Sequence, residues 1–168
     1  MAREVEAGNL DVAFALGAPG MDDLQENFHV LPLTGFVYRV VAPQSWLGQV
    51  RGKGWRELAQ LPWIGTPVES VHNRLLSRIA AVEGVQFNVV AQVDLEPSMM
   101  DLVKSGVALS LARDSLALRA AHAGGVVVAD AVEVHAELGM VCRKDRYGEA
   151  PISAAMEIMN EVWRREIG

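Results

Sequence analysis

The sequence is poor in the residues that mark secreted, redox-active or nucleic-acid-binding chains. Cys142 is the single cysteine among 168 residues, which excludes a disulfide within the chain and is typical of a reducing cytoplasm. Acidic residues outnumber basic ones by 21 to 15, and no run of lysine and arginine exceeds a pair. The chain is therefore not expected to bind nucleic acid by itself. No stretch of about 18 apolar residues could span a membrane, and the first residues lack the apolar core of a signal peptide. These absences predict a cytoplasmic chain with no membrane partner.

Groupings that would support catalysis or metal binding are also scarce. The four histidines are scattered and have no cysteine beside them, so we expect no metal site. Asp94 and Glu96 form a close carboxylate pair, but no nucleophile or histidine is spaced to join them, and capping of the following helix is the favoured role. Gly52-Lys53-Gly54 is too short for a phosphate-binding loop and is better interpreted as a flexible turn. The sequence therefore predicts no catalytic residue, no metal ion and no cofactor.

Apolar side chains, by contrast, are abundant. They make up 51% of the residues, and the mean hydropathy is +0.17, both high for a soluble chain of this size. Sheets that are buried on both faces would explain such a composition, and so would apolar surface that awaits a partner. We expect both.

The stretch Val93–Asp114 is the most informative part of the chain. Pro97 suits the first turn of a helix, apolar residues recur at helical spacing after it, and Gly106 can close that helix in a left-handed turn. Val107–Ala112 is then a continuous apolar run, short enough for a strand covered on both faces. A strand, a helix, a glycine and a strand make a βαβ unit, which places ligands at the carboxyl ends of its strands. Arg113 would lie at such an end.

The strongest helix start lies at Thr66. Thr66 can cap, Pro67 suits the first turn, and Glu69 completes a capping box, while Gly84 ends the helix. The N–H groups and the positive dipole end of such a start form a ready anion site. In the competing interpretation Thr66 and Glu69 merely cap each other, and the charge of Glu69 repels an anion. The predicted apolar stripe of this helix is Val68, Val71, Leu75, Leu76, Ile79 and Val82.

The remaining segments mix apolar strands with helices, which predicts an α/β fold. Apolar strands are predicted at Leu10–Leu16, Phe28–Leu33, Phe36–Ala42, Pro62–Gly65, Gln86–Val93, Val126–Ala129 and Glu133–Arg143. Further helices are predicted at Trp55–Ala59, from an N-cap at Asp114 through Ala123, and from Ala150 onward.

Six phrases of the sequence recur in a known order and spacing over nearly the whole chain: Gly8-Asn9-Leu10-Asp11-Val12-Ala13-Phe14, Val41-Ala42-Pro43, Glu57-Leu58-Ala59, Pro62-Trp63-Ile64, Asp101-Leu102-Val103-Lys104-Ser105-Gly106-Val107 and Leu111-Ala112-Arg113. Together they resemble the effector-binding domain of LysR-type transcriptional regulators, and the Val93–Asp114 region resembles the second lobe of that domain. The resemblance covers only part of the family pattern, because the DNA-reading helices, the linker helix and the opening strand-helix-strand of the first lobe have no counterpart here.

The resemblance implies a two-lobed α/β fold like that of the type II periplasmic binding proteins. Residues 44–133 would form a complete second lobe, and residues 1–43 together with 134–168 a partial first lobe. The chain would cross between the lobes near Val40–Pro43 and near Val134–Val141. Hinge positions are expected in these crossings at Val41, Ala42 and His135.

The resemblance also implies a binding site, because in this family a small molecule, often an organic acid, binds in the crevice between the lobes. The planar guanidinium of Arg113 could bind the carboxylate of such a ligand with two hydrogen bonds. In the competing interpretation Arg113 forms a surface ion pair with Asp114 or Asp94. The expected effector-binding residues are Leu16 and Gly17 from the first lobe, Thr66, Pro67, Ser70 and Asn73 from the helix start, and Leu111, Ala112 and Arg113 from the strand end.

Together these features predict a ligand-sensing module and not an enzyme. A bound effector would shift the arrangement of the oligomer, and DNA would be reached only through a helix-turn-helix that is absent from this chain. The alternative is a type II periplasmic-like solute-binding protein, which would need export. A third class comprises enzymes of this fold, such as prephenate dehydratase or porphobilinogen deaminase. Those need a dense polar catalytic cluster, which the sequence does not contain.

The Leu10–Leu16 strand is expected to have an unpaired edge, because the strand that is central in the first lobe of the family has no counterpart here. An exposed apolar edge is a template for pairing with another chain. We therefore predict a homodimer or a higher homo-oligomer in which two such regions cover each other.

Overall fold

The computed structural model describes residues 2–19, 21 and 24–167, which form a mixed α/β fold. Its sheets are a four-stranded one in the order β1-β6-β2-β5 and a two-stranded one made of β3 and β4. The strands are β1 Val12–Gly17, β2 Phe28–Pro43, β3 Pro62–Gly65, β4 Asn88–Gln92, β5 Ser110–Arg113 and β6 Val126–Arg143. The helices are α1 Ala2–Glu6, α2 Leu47–Val50, α3 Trp55–Leu58, α4 Val71–Glu83, α5 Glu96–Lys104, α6 Asp114–Ala123 and α7 Ala150–Ile167.

The chain divides into two compact units. Unit 1 comprises Met1–Phe36 and Ala136–Gly168, and unit 2 comprises Val37–His135. The long strands β2 and β6 each contribute one half to each unit. The predicted crossing near Val40–Pro43 begins four residues after Phe36, and the one near Val134–Val141 contains the division after His135.

Unit 1 buries both faces of its sheet, as the apolar composition predicts. β1 pairs antiparallel with the carboxyl half of β6. Because side chains alternate along a strand, Val141 packs with Val5 of α1, whereas Met140 and Cys142 pack with Ile152 of α7. Cys142 is fully buried with a free thiol, and desolvation by burial raises its pKa, so it is a packing residue of this core.

Unit 2 holds the predicted βαβ region and extends it to βαβαβ. β3 and β4 pair in parallel with α4 between them along the chain. α5 then leads from β4 to Leu109 and β5, and Leu109 forms a parallel bridge with Trp63 of β3. The other side of β5 pairs antiparallel with the carboxyl half of β2, where Tyr38 lies opposite Arg113. The spatial order is therefore β4, β3, β5, with β3 in the middle.

Two long strands replace pairs of shorter predicted ones. β2 runs unbroken through Thr34-Gly35, and β6 runs unbroken through Asp130. The predicted breaks were wrong because small and polar residues at these points keep extended backbone when neighbouring strands pair with them. β5 also begins later than predicted, at Ser110 rather than Val107.

The start of α4 differs from the prediction as well. Ser70, not Thr66, is the N-cap, and its hydroxyl accepts a hydrogen bond from the N–H of Asn73 at 3.1 Å. The capping box is therefore wrong: Thr66 stays at the end of β3, and its carbonyl accepts from the amide of Asn73 at 3.1 Å. Because the N-cap lies four residues later than predicted, Val68 is outside the helix and is 72% exposed. The predicted ending is confirmed, since Gly84 has a φ of +64° in the left-handed region.

Candidate functional site

The strand order of unit 2 defines where a ligand would bind in it. In open α/β sheets, ligands bind beyond the carboxyl ends of the strands, where the strand order reverses. Here the chain goes from the central β3 outward to β4 and then back to β5 on the other side. Thr66 follows the carboxyl end of β3 and Arg113 ends β5. The two segments that the sequence singles out thus lie at the carboxyl ends of the strands on either side of this reversal.

The polar side chains that follow β3 and those in the first turns of α4 form hydrogen bonds with one another. The hydroxyls of Thr66 and Ser70 are 2.5 Å apart, and Thr66 is only 4% exposed. The Ser70 hydroxyl also caps α4, and Asn73 donates to the carbonyl of Thr66. Ser77 adds a hydrogen bond of 3.3 Å to the amide oxygen of Asn73. These contacts fix the first turn of α4 at the edge of the sheet.

Removing the cap should show this role directly. We expect Ser70→Ala to lower the free energy of unfolding by about 1 kcal/mol, because the N–H of Asn73 loses its side-chain acceptor. Urea denaturation followed by circular dichroism measures the change. Ser77→Ala, on the exposed side of the same helix, is the control and should change stability by less than half as much. Equal effects of the two substitutions would contradict the assigned cap.

Arg113 lies beside an aromatic pair that sequence reasoning missed. Tyr38, its cross-strand neighbour, is 2% exposed and makes an edge-on contact with His72 of α4, with ring centroids 5.2 Å apart. Burial raises the pKa of the Tyr38 phenol, while the hydrogen bond and charge of Arg113 oppose that rise and the charge of Glu96 adds to it. Tyr38, His72, Glu96 and Arg113 therefore form one polar cluster, which we call the switch-point cluster.

His72 is held in its neutral form within this cluster. Burial lowers its pKa; the charge of Glu96 opposes that shift and the charge of Arg113 reinforces it. Because the folded pKa is below the unfolded value of about 6.5, the unfolded chain binds more protons as the pH falls past that value. Burial of His72 therefore costs stability in acid.

This shift predicts a pH dependence of folding. We expect the free energy of unfolding to fall as the pH is lowered from 7.5 to 5.5, and to fall less steeply in a His72→Gln variant. Urea denaturation at a series of pH values measures both slopes. His122→Gln, on an exposed part of α6, should leave the wild-type slope unchanged. If His72→Gln left it unchanged too, the proposed burial of neutral His72 would be wrong.

Asp114, one of the two carboxylates considered as an ion-pair partner of Arg113, forms a salt bridge with Arg39. The carboxylate of Asp114 accepts a 2.7 Å hydrogen bond from Nε of Arg39, and Arg39 also reaches Glu133 at 2.9 Å.

Glu96, one of the two carboxylates predicted to cap a helix, is the first residue of α5. Its helix is capped by Leu95 without a side-chain hydrogen bond, so the capping role favoured for Asp94 and Glu96 is wrong.

The other predicted site residues fall into three groups. Leu111 and Ala112 are 2% and 1% exposed in unit 2, and Pro67 is on its surface. Leu16 and Gly17 end β1 in unit 1. The hinge candidates Val41 and Ala42 are fully buried in β2, and His135, the last residue of unit 2, contacts Glu133 at 2.9 Å. Their roles in binding and hinge motion stay predictions.

Tyr38, His72 and Glu96 were missed because their meeting depends on tertiary structure. Tyr38 is 34 positions from His72 along the chain, and only the register of β2 against β5 brings it to Arg113. A weaker signal was available: His72 and Glu96 each follow a strand of the βαβαβ region within a few residues. Carboxyl ends of parallel strands lie at one edge of a sheet.

Other kinds of site are not supported by the residues that the structure describes. Within residues 2–19, 21 and 24–167, no group of three or more histidine, cysteine, aspartate and glutamate side chains is placed to hold a metal ion. In the same part of the chain, no helix combines the length and apolar character needed to cross a bilayer.

Comparison with solved structures defines the class of fold. The effector-binding domain of QuiR in complex with shikimate aligns with a TM-score of 0.68 at 19% identity, covering 94% of this chain and 73% of that one. The regulatory domain of Synechocystis PCC6803 CcmR in complex with 2-PG gives 0.71 at 9%, covering 95% and 76%. The regulatory domain of MetR from N. meningitidis gives 0.70 at 13%, covering 95% and 73%. The chain has the fold of these regulatory domains, which resembles the type II periplasmic binding proteins.

The sequence itself establishes the family. The model of the LysR substrate binding domain matches residues 1–164, and no curated protein sequence gives a significant match. The chain belongs to the LysR substrate-binding domain family, the effector-sensing part of LysR-type transcriptional regulators. The predicted family and fold class are confirmed, and the transport-type solute-binding alternative is not favoured. The family is a regulatory binding domain and not a catalytic one.

Proposed function

We propose that this chain senses a small carboxylic acid, which binds at the switch-point cluster of unit 2. The observation that carries the proposal is the position of Arg113. It ends β5 at the strand-order reversal and is exposed. It also forms a side-chain hydrogen bond with the buried phenol of Tyr38. A guanidinium at such a point can bind a carboxylate with two parallel hydrogen bonds. The amino end of α4, a 13-residue helix, adds the positive end of its dipole.

The ligands of similar domains support a small polar molecule as the effector. The QuiR domain was solved with shikimate, which is a carboxylic acid, and the CcmR domain with 2-PG. In the proposed mechanism the effector binds one conformation of the regulator more tightly than another and so shifts their populations. The ligand itself is not transformed in this scheme, so no catalytic activity is proposed.

A thermal-shift screen tests this proposal. Shikimate, benzoate, succinate and 2-oxoglutarate would be compared with carboxamide analogues such as benzamide and succinamide. A ligand present at 100 times its dissociation constant stabilises the folded state by about 2.7 kcal/mol, which shifts the melting temperature measurably. We expect at least one acid to stabilise the chain and its carboxamide to do so much less. Equal stabilisation by acids and carboxamides would contradict recognition of a carboxylate.

We also propose that the chain assembles as a homodimer or higher homo-oligomer through β1. The sheet order puts β1 at an edge, and two of the large apolar side chains at this edge are exposed, Leu10 by 41% and Phe14 by 39%. An exposed apolar edge strand favours pairing with a second copy. Light scattering at micromolar concentration should give at least twice the monomer mass of 18.2 kDa, and a stable monomer would contradict it.

The proposed role as part of a LysR-type regulator also implies where the protein acts and which part of the regulator contacts DNA. A LysR-type regulator acts in the cytoplasm, and its contact with DNA belongs to a helix-turn-helix outside the domain described here. The net charge of −6 agrees with a domain that does not itself bind nucleic acid.

A further inference from the structure

Arg39 of β2 holds two carboxylates that belong to two other elements of unit 2. Its Nε atom donates to Oδ1 of Asp114, the first residue of α6, at 2.7 Å. Its Nη1 atom lies 2.9 Å from Oε2 of Glu133 in β6. The three side chains are 29–43% exposed, and ion pairs that reach solvent to this extent add little stability. The main effect of the Arg39 fork is therefore to fix the geometry of the strands and the helix that it joins.

The end of β5 is attached to β2 on both faces of the sheet. In the register of the two strands, Tyr38 lies opposite Arg113, and their side chains form a hydrogen bond. Arg39 lies opposite Ala112, on the other face, because side chains alternate along a strand. Tyr38 and Arg113 are the terminal pair of this register. The contact of Arg39 with Asp114 therefore extends the attachment past the end of β5 and into α6.

We propose that Arg39 is a positioning residue for the carboxylate site, because by holding Asp114 it fixes the turn from β5 into α6 and so orients Arg113. This inference rests on the proposed function and adds to it a residue that acts on the same site without touching the ligand. A bidentate contact needs both N–H groups of the guanidinium aligned with the carboxylate oxygens. A group that is already oriented loses less conformational freedom on binding, which raises the affinity.

Calorimetry on a set of variants tests the inference, with whichever of shikimate, benzoate, succinate and 2-oxoglutarate stabilises the wild-type chain most. We expect Arg39→Gln and Asp114→Asn each to weaken binding by about 3- to 10-fold. The double variant should bind no more weakly than either single variant, because all three lack the same contact. Lys53→Gln, which removes a similarly exposed ion pair with Glu57 elsewhere in unit 2, is the control and should leave the affinity unchanged.

A direct effect of charge on the bound anion would give a different pattern. Arg39→Gln would then weaken binding, Asp114→Asn would strengthen it, and the two effects would add. That pattern would overturn the inference, and so would a folded Arg39→Gln chain that is less stable than the wild type but binds the acid equally well. Asp114→Asn changes only an exposed carboxylate to an amide of the same shape, so the direction of its effect decides even if Arg39→Gln does not fold.

Failure of the proposed function would be recognised separately. If no acid of the panel binds the wild-type chain, or if Arg113→Ala binds the acid as the wild type does, the carboxylate site itself is contradicted. If Arg113→Ala weakens binding and neither Arg39→Gln nor Asp114→Asn does, the site stands and the positioning role of Arg39 is overturned.

Discussion

Replacing Arg113 with alanine is expected to weaken binding of any acid identified by the thermal-shift screens by about 10- to 100-fold. Hydrogen bonds to charged groups contribute about 1.5–3 kcal/mol, and each 1.4 kcal/mol corresponds to about a tenfold change in affinity. Arg113 is exposed at the end of β5, so its truncation should leave the core of unit 2 folded. Isothermal titration calorimetry with the screened acid measures the change.

Two further variants make the Arg113 result specific. Arg113→Lys keeps the positive charge and loses the bidentate fork, so it should bind with an affinity between those of wild type and Arg113→Ala. Arg119→Ala removes an exposed arginine from α6 whose Nε donates to the carbonyl of Ser115 in the same helix at 3.1 Å. It should bind the acid as the wild type does. Equal affinity of Arg113→Ala and wild type would show that the acid is held elsewhere.

Trp63→Ala should cause the largest loss of stability, about 3–5 kcal/mol in the free energy of unfolding. Trp63 is fully buried in β3, its indole nitrogen donates to the carbonyl of Leu58 at 2.8 Å, and its ring centroid lies 4.8 Å from that of Phe87. The substitution therefore opens a cavity and removes one of the two hydrogen bonds to the carbonyl of Leu58, which also accepts from the N–H of Leu61 at 3.1 Å. Urea denaturation followed by circular dichroism measures the loss.

Trp55 provides the matched comparison for this core position. It contacts the same Phe87 ring, at 6.2 Å between centroids, but it is only half-buried. Trp55→Ala should therefore cost less than half as much as Trp63→Ala. A loss of under 1 kcal/mol for Trp63→Ala would contradict the close packing around β3.

Secondary structure could be predicted from the sequence where local chemistry decides it. Pro62–Gly65 has the predicted bounds, and α6 ends at Ala123 as predicted although its N-cap is Arg113 and not Asp114. A short apolar run and a helix stopped by Gly124-Gly125 are local signals. The continuity of β2 and β6 could not be predicted, because pairing with distant strands holds their polar residues extended. The helix cap was misplaced for a similar reason: Asn73 binds the carbonyl of Thr66 and keeps it with the strand.

The candidate site could be predicted only in part. Arg113 was proposed because it ends an apolar strand of a βαβ pattern. The region from Thr66 to Asn73 was proposed because a helix was expected to begin there and the family resemblance implies that this helix start lines the ligand site. Tyr38 could not be, since a register of antiparallel strands brings it to Arg113. Glu96 was assigned to helix capping, which its helix does not use. Charged side chains whose partners are remote in sequence have no local signal.

The most direct test of the account is to map the binding of a stabilising acid by nuclear magnetic resonance. Backbone amide shifts would be recorded for the full chain as the acid identified by thermal shift is added. The account predicts that the largest changes fall in unit 2, at residues 66–73, at Glu96 and at residues 110–114. Changes confined to unit 1, with these residues unaffected at saturation, would contradict binding at the switch-point cluster.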